Sequence, residues 1–381
     1  MHPLLDLFSD VPDPRINRTK RHALVDIIVI AVLGIICGAD TWVDIEHFGR
    51  AKETWLRRFL TLENGIPSHD TFGRVFARLE PDALHERFTV WLKRIAGRLA
   101  PQHIAIDGKT VNGAKRDGQR RSKIHLVNAW ACESRLVLGQ VLTDEKSNEI
   151  TAVPELLHLL DLQGCVVTLD ALGTQKAIAA QIIAQQGDYI LPLKGNHPHF
   201  HKLIENTLEQ LDDHRFAHAF TEQEDAAHDR DERRRLWRLE LKDLNGSWSA
   251  EDKVEASQWS GLQSLFFLES ERQVLGESKE FRRRYFLCSF CPSASEALGF
   301  VRGHWGIENR LHWRLDVAFD EDGSRVRTGH APQNMALLRK MALNLLNQHP
   351  SKGSIKSKRL KAGWKDDFLV SLITHAAGPA P

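Results

Sequence analysis

The chain lacks a cysteine framework. Five cysteines in 381 residues are odd in number and scattered, which excludes a disulfide-stapled secreted domain and suits a reducing compartment. It also lacks a dominant charge, with 51 Lys and Arg against 50 Asp and Glu for a net charge of +1. Any affinity for a polyanion must therefore come from local clusters. It lacks a bilayer span as well. The one long apolar run, "ALVDIIVIAVLGIICGA" (23–39), carries Asp26 and falls short of the ~20 residues a span needs; it reads as a buried helix. No targeting segment, internal repeat or low-complexity tract is evident. These absences predict a cytoplasmic protein with no membrane partner.

What remains is an ordinary globular composition, 42% apolar and 27% charged, with length for two or three domains. Three basic clusters stand out: "DPRINRTKRH" (13–22), "RDERRRLWR" (230–238) and "SKGSIKSKRLKAGWK" (351–365). Each is either a solvated face or a polyanion contact. Cys288 and Cys291 form one C-x-x-C, but no second pair follows at finger-like spacing, so they read as small residues ending a strand.

Residues 1–98 read as a helical N-terminal domain. "TWVDIEHFGRAKETWLRRFL" (41–60), "NGIPSHDTFGRVFARL" (64–79) and "DALHERFTVWLKRIAGRL" (82–99) carry apolar residues at helical spacing. Short helices around a Gly-Pro turn fit a helix-turn-helix or a plain bundle equally well. From about residue 101 the texture changes to "HIAIDGK" (103–109), "KIHLVNAWAC" (123–132) and "RLVLGQVLT" (135–143), three successive strands expected to be antiparallel. A helix (149–162), a buried strand "CVVTLDA" (165–171), a helix (174–187) and a strand "DYILPLKG" (188–195) follow. The order β-β-β-α-β-α-β predicts an α/β core over 99–200 and 281–349. A mainly β insertion is expected at 201–280 and a basic segment at 350–381.

Two aspartates end apolar strands: Asp107 after "IAI" and Asp170 after "VVTL". A carboxylate there is costly unless it is paired, hydrogen-bonded or metal-bound. Either caps a turn, or the two on neighbouring strands hold a hard divalent cation. In "HWGIENRLHWRLDVAFDED" (304–322), at about 100° per residue, Phe300, Ile307, Leu311 and Leu315 share one arc, with Glu308 at its edge about 20° from Leu315. That places a carboxylate toward the core without a local partner, and a metal held with the two aspartates would supply one. A zinc site from His304, Glu308 and His312 is the rival. Spacings of four and eight residues put the histidines ~12 Å apart along the helix, too far for one ion without strain. In a third reading the tryptophans simply pack and Glu308 makes a salt bridge.

Together "AIDGKT", "LDALGTQKAIA", "DYILPLKGN" and the Glu308 stretch resemble the H-repeat-associated transposases of bacterial insertion sequences, members of the DDE superfamily. The resemblance runs through "GIPSHDTFGRVFARL", "SNEITAVPELL" and "NMALLRKMALNLL" over nearly the whole chain. It implies an RNase H-like core, a mixed five-stranded sheet flanked by helices, with a β-rich insertion before the last catalytic helix. It also implies Asp107, Asp170 and Glu308 as the catalytic acids, holding two Mg²⁺ or Mn²⁺ ions. The partners implied are double-stranded DNA, both terminal inverted repeats and target, and further copies of the chain on that DNA. One departure is visible: where broader cut-and-paste relatives place Tyr, Arg and Lys around this Glu, Val301, His304 and Leu315 stand here. Phosphate contacts are then expected from Arg302, His304, Asn309, Arg310 or His312. Lys109, Lys194 and Asn196 at strand ends, and Lys356, Lys358 and Arg359 in the basic segment, are further candidates. A DNA-binding relative that does not cut, and a nuclease of the same fold that does not join strands, are the alternatives.

Overall fold

A computed structural model describes residues 3–96, 101–115, 123–143, 149–209, 219–227, 230–244, 248–274 and 278–375. The domain junction expected at 98–99 and the last residues of the basic segment, 376–381, lie outside the described residues. Six helices come first: α1 (Pro3–Phe8), α2 (Leu24–Ile36), α3 (Trp42–Ala51), α4 (Glu53–Leu56), α5 (His69–Arg78) and α6 (Pro81–Ala96). Next come β1 (His103–Lys115), β2 (Lys123–Ala131), β3 (Leu136–Thr143), α7 (Glu149–His158), β4 (Val166–Thr168), α8 (Lys176–Ala184) and β5 (Asp188–Leu193). The following stretch holds α9 (Pro198–Glu209), β6 (Phe220–Ala227), β7 (Arg230–Glu240), α10 (Leu241–Leu244), α11 (Ala250–Ser257), β8 (Ser264–Val274) and β9 (Glu280–Cys288). The chain closes with α12 (Ala294–His304), α13 (Trp313–Phe319), α14 (Ala331–Gln348), α15 (Ile355–Trp364) and α16 (Asp366–His375). It divides into two compact units, Met1–Ala100 with Gly108–Asn148 and Glu308–Pro381, and Pro101–Asp107 with Glu149–Ile307.

The first unit is built around two buried helices. In α2 every residue from Ile27 to Ile36 is buried, as the apolar run predicts, and no helix among the described residues is long and apolar enough to cross a membrane. Within that run, buried Asp26 accepts the Leu62 N–H at 3.0 Å through Oδ2, while its Oδ1 is buried without a hydrogen-bond partner among the described residues. Helix α14 packs against α2 and α5 and buries polar side chains that finish other elements. Asn334 donates to the carbonyls of Phe76 (2.9 Å) and Leu79 (2.8 Å), closing the end of α5. Asn344 receives the Val137 N–H at 2.8 Å and donates to the Val137 carbonyl at 2.9 Å, so its amide acts as one more ladder partner for β3. Strands β2 and β3 are antiparallel, as expected.

Gly329 ends the approach to α14. Its φ is +51°, and a Cβ there would lie 2.4 Å from the Ala77 carbonyl oxygen, a backbone atom that cannot swing away. Gly329→Ala should therefore lower unfolding free energy by about 2–4 kcal/mol, read by urea denaturation.

In the second unit the start of β1 runs parallel to β4, with His103 opposite Val166 and Ala105 opposite Thr168. β4 runs parallel to β5, and β5 is antiparallel to β9. The strand order is β3-β2-β1 in the first unit and β1-β4-β5-β9-β8-β7-β6 in the second, β1 contributing to both. The run β3-β2-β1-β4-β5 is the mixed sheet of an RNase H-like core. The expected β-rich insertion is present, but β6, β7 and β8 extend that sheet through β9 instead of folding apart from it. Ala297, Leu298 and Val301 of α12 pack on Ile190, Leu236, Phe266 and Leu268 of the extended sheet. Ser293 and Glu296 close a capping box that fixes where α12 begins.

Candidate active site

Register brings the two aspartates together. Asp107 lies two residues beyond Ala105 and Asp170 two residues beyond Thr168, and Ala105 and Thr168 are direct partners on parallel strands. Contrary to expectation, Asp107 is not at a strand end: it lies within β1, which continues to Lys115, at the level where the neighbouring β4 has ended and Asp170 follows it. Paired strands are spaced ~4.8 Å apart. Both side chains are partly buried.

Asp170 also does what a turn-capping residue does: its Oδ1 accepts the Gly173 N–H at 3.0 Å. Burial pushes its pKa up, the Gly173 N–H pulls it down, and the charge of Glu149 raises it again, with Lys194 a smaller opposing influence. Glu149, the buried first residue of α7, is an acid that strand-end logic missed; it sits instead at a helix start. Glu149→Gln should bring the Asp170 pKa down, measured from the carboxyl ¹³C shift against pH.

Two of the quoted motifs meet here. Asn196 donates to the carbonyls of Ala171 (2.9 Å) and Thr174 (3.3 Å), a ring nitrogen of His197 lies 2.7 Å from the Thr174 carbonyl, and buried Thr174 donates to the Pro192 carbonyl at 2.8 Å. "LKGNH" thus clamps the loop after Asp170. Asn196 is committed to that clamp instead of being held out for a phosphate, whereas Lys194 is exposed at the end of β5.

Several expected contacts are corrected. Lys109 is only 7% exposed, with its ammonium 2.6 Å from Asp316, 3.5 Å from Asp322 and 3.9 Å from Glu321, so it balances one buried carboxylate, Glu321, and two partly exposed ones. The His304 Nδ1 lies 2.9 Å from the Thr168 hydroxyl, inside the second unit, and Arg302 is paired to Asp225 at 3.0 Å. Lys358 is buried and donates to the Leu346 and His349 carbonyls, both at 2.8 Å, capping the end of α14. Arg359 is 4% exposed and donates to the carbonyls of Ile35, Ala39 and Ala318 as well as to Asp40. Free carbonyls at helix ends recruit these basic groups because they lack partners of their own. Lys356 stays exposed on α15.

The basic cluster 230–238 is likewise neutralised. Arg233 pairs with Glu222 (2.6 Å), Arg234 with Asp225 (2.5 Å) and Glu232 (2.6 Å), Arg235 with Glu269 (3.3 Å) and Arg238 with Glu240 (2.8 Å). Most of these are cross-strand pairs set by the β6-β7-β8 register.

Glu308 departs from the helical-wheel expectation. It is exposed, as are Asn309 and Arg310, while Ile307, Leu311 and Leu315 are fully buried. The reason is a π-helical turn over Glu308–His312. Its wider turn keeps Ile307 and Leu311 in phase on the buried side and leaves Glu308 outside, and such turns recur at functional sites. His312 is half-buried. Trp305 and Trp313 are 48% and 59% exposed, so neither is a core packing residue.

The donor chemistry suits a hard divalent ion. Two carboxylates stand at one level, and a cation would offset the burial and like charge that raise the Asp170 pKa. Among the described residues, no three or more His, Cys, Asp or Glu side chains are gathered into a metal cage. Cys288 is buried, which pushes its thiol up to about 12, so it packs as a neutral small residue at the end of β9.

With this geometry in place, the comparisons define the class. Residues 98–345 match the family described as Transposase DDE domain, and residues 5–92 match DDE_Tnp_1-associated. The chain belongs to the DDE transposase family. It is 35% identical over 374 residues to the H repeat-associated putative transposase YhhI of Escherichia coli K12, covering 97% of each chain. It is 38% identical over 378 residues to the putative transposase YncI of Escherichia coli O157:H7, covering 98% of this chain and 95% of that one. A piggyBac transposase synaptic complex with hairpin DNA overlays with a TM-score of 0.43 at 11% identity, over 98% of this chain and 76% of that one.

Proposed function

We propose that the protein cuts DNA at the ends of an insertion sequence and joins the freed strands to a target, with Asp107, Asp170 and Glu308 as the metal-holding acids. The observation that carries this reading is the matched register of Asp107, within β1, and Asp170, just past the end of the parallel strand β4, in a chain of the DDE transposase family. Two Mg²⁺ or Mn²⁺ ions, when bound, would activate the attacking water or 3′-hydroxyl and stabilise the leaving oxygen. The chain's own part is to hold the carboxylates. The Gly173 N–H fixes one oxygen of Asp170, and the Asn196, His197 and Thr174 bonds keep its loop closed. Glu308 adds a third carboxylate from an exposed π-turn, flanked by exposed Asn309 and Arg310 that suit phosphates.

The DNA partners are duplex terminal repeats and target. Exposed Lys194 and Lys356 remain as phosphate contacts, and the protein acts as a homo-oligomer on DNA in the cytoplasm. The test is a linear duplex bearing the element's terminal repeats, incubated with plasmid and Mg²⁺. Joined products support the proposal, nicks without joining indicate a nuclease, and a gel shift without nicks indicates a binder.

A further inference from the structure

One buried hydrogen-bond chain in the second unit has no role in the scheme above. His103, the first residue of β1, places Nε2 2.7 Å from the hydroxyl of Thr168, the last residue of β4. The same hydroxyl lies 2.9 Å from Nδ1 of His304, the last residue of α12. His103 and Thr168 are both almost fully buried. Phe300 of α12 meets the His103 ring edge-on with centroids 5.4 Å apart. At Gly303 a Cβ would come within 2.8 Å of His103 Nδ1, so α12 approaches as closely as only glycine permits. Burial holds both imidazoles neutral, pushing His103 down to about 3 and His304 to about 4.

A hydroxyl has one proton. It can donate to one imidazole at most, and any other ring nitrogen in contact with it must bring its own N–H. If His304 Nδ1–H donates to Thr168, Thr168 donates to His103 Nε2, and both rings carry their proton on Nδ1. If His103 Nε2–H donates to Thr168, Thr168 donates to His304 Nδ1, and both carry it on Nε2. If both facing nitrogens carry protons, the oxygen accepts both bonds through its two lone pairs and turns its own proton away; only the pair with both facing nitrogens unprotonated is excluded, because it sets lone pair against lone pair. The three side chains therefore form a coupled unit, tying β1, β4 and α12 together two residues short of Asp170 and four short of Asp107.

We infer that Thr168 is a positioning residue for Asp170, held by His103 and His304 so that the carboxylates stand at the register metal binding requires. The inference rests on the functional reading proposed above. It gives His304, which stands where relatives carry an arginine, an inward role. Groups of this kind behind metal-bearing carboxylates change affinity by about 10- to 100-fold when lost. Thr168→Val keeps the shape and removes both bonds; Thr168→Ser keeps the hydroxyl.

The test uses the full chain and three readouts. In metal-free wild type, imidazole ¹⁵N spectra at neutral pH, assigned with His103→Asn and His304→Asn, should show both rings neutral, with a proton on at least one of the two nitrogens that face Thr168, His103 Nε2 and His304 Nδ1. Thr168→Val should change the tautomer populations of at least one ring. Mn²⁺ affinity by electron paramagnetic resonance should fall about 10- to 100-fold in Thr168→Val, and single-turnover nicking should fall with it at unchanged DNA affinity. Thr168→Ser should restore both to within about threefold. Unprotonated nitrogens facing Thr168 on both rings in the wild type, or Mn²⁺ affinity in Thr168→Val equal to wild type, overturns the inference. The expected protonation and altered Mn²⁺ affinity in a protein that never nicks DNA would instead overturn the functional reading and leave the inference standing.

Discussion

Asp107→Asn should reduce Mg²⁺-dependent nicking of end-bearing DNA by about 10³-fold or more while leaving a gel shift of the same DNA unchanged. The magnitude follows from metal stabilisation worth several kcal/mol of transition-state charge, with each 1.36 kcal/mol a factor of ten in rate. Asp170→Asn and Glu308→Gln should behave alike in activity, because the proposed function gives each one of the metal-holding carboxylates. They should differ in stability. Asp170 has a raised pKa, chiefly from burial, so its ionised form costs the folded state. The stability contributed by its protonated form is present at low pH and lost as pH rises through the raised value. Asparagine mimics that neutral form, so metal-free Asp170→Asn should be at least as stable as wild type at neutral pH. Saturating Mg²⁺ should then raise the wild-type melting temperature and not that of the variant, since only the wild type gains linkage energy, about 2.7 kcal/mol at a hundredfold excess over Kd.

Arg359→Ala should destabilise the fold by about 3–5 kcal/mol, the cost of stripping a buried charged network of one partner. Its guanidinium donates to the carbonyls of Ile35 (3.0 Å), Ala39 (3.2 Å) and Ala318 and to Asp40 (2.7 Å), and it lies 4.2 Å above the Phe319 ring. Removing it leaves carbonyls from α2 and α13 and one carboxylate without a cation. Urea denaturation at neutral pH reads the effect. Three residues earlier, Lys356→Ala should leave stability unchanged and flatten the salt dependence of DNA binding by about 0.9 in log–log slope per lost phosphate contact. A sequence that looks like one basic run is thus split between a fastener and a surface charge.

That split shows where reading the sequence stopped. Apolar runs and turn residues were enough to place α2, β2, β3 and the parallel strands, because hydrophobic periodicity is a local property. Asp107 and Asp170 were legible for the same reason, as charges interrupting buried strands. The burial of Lys109, Lys358 and Arg359 was not, because it depends on carboxylates and helix-end carbonyls distant in sequence. As sequence, 230–238 is either a solvated face or a polyanion contact, whereas the register of β6, β7 and β8 sets acids beside its arginines. The sequence makes Glu308 a candidate on a ground the fold does not support. An even helical wheel tips it toward the core, whereas a π-turn rephases the helix and turns it out. His103 and Thr168 carried no signal at all, since a histidine opening a strand and a threonine closing one are ordinary until α12 brings His304 between them.

The most direct test of the three-carboxylate account is affinity cleavage. Fe²⁺ bound in place of Mg²⁺, with ascorbate and peroxide, generates radicals that cut the backbone beside the metal. The account predicts cuts next to Asp107, Asp170 and Glu308, all three suppressed by excess Mg²⁺ and by Asp107→Asn. Cuts confined to other positions, or a pattern that never includes Glu308, would contradict it.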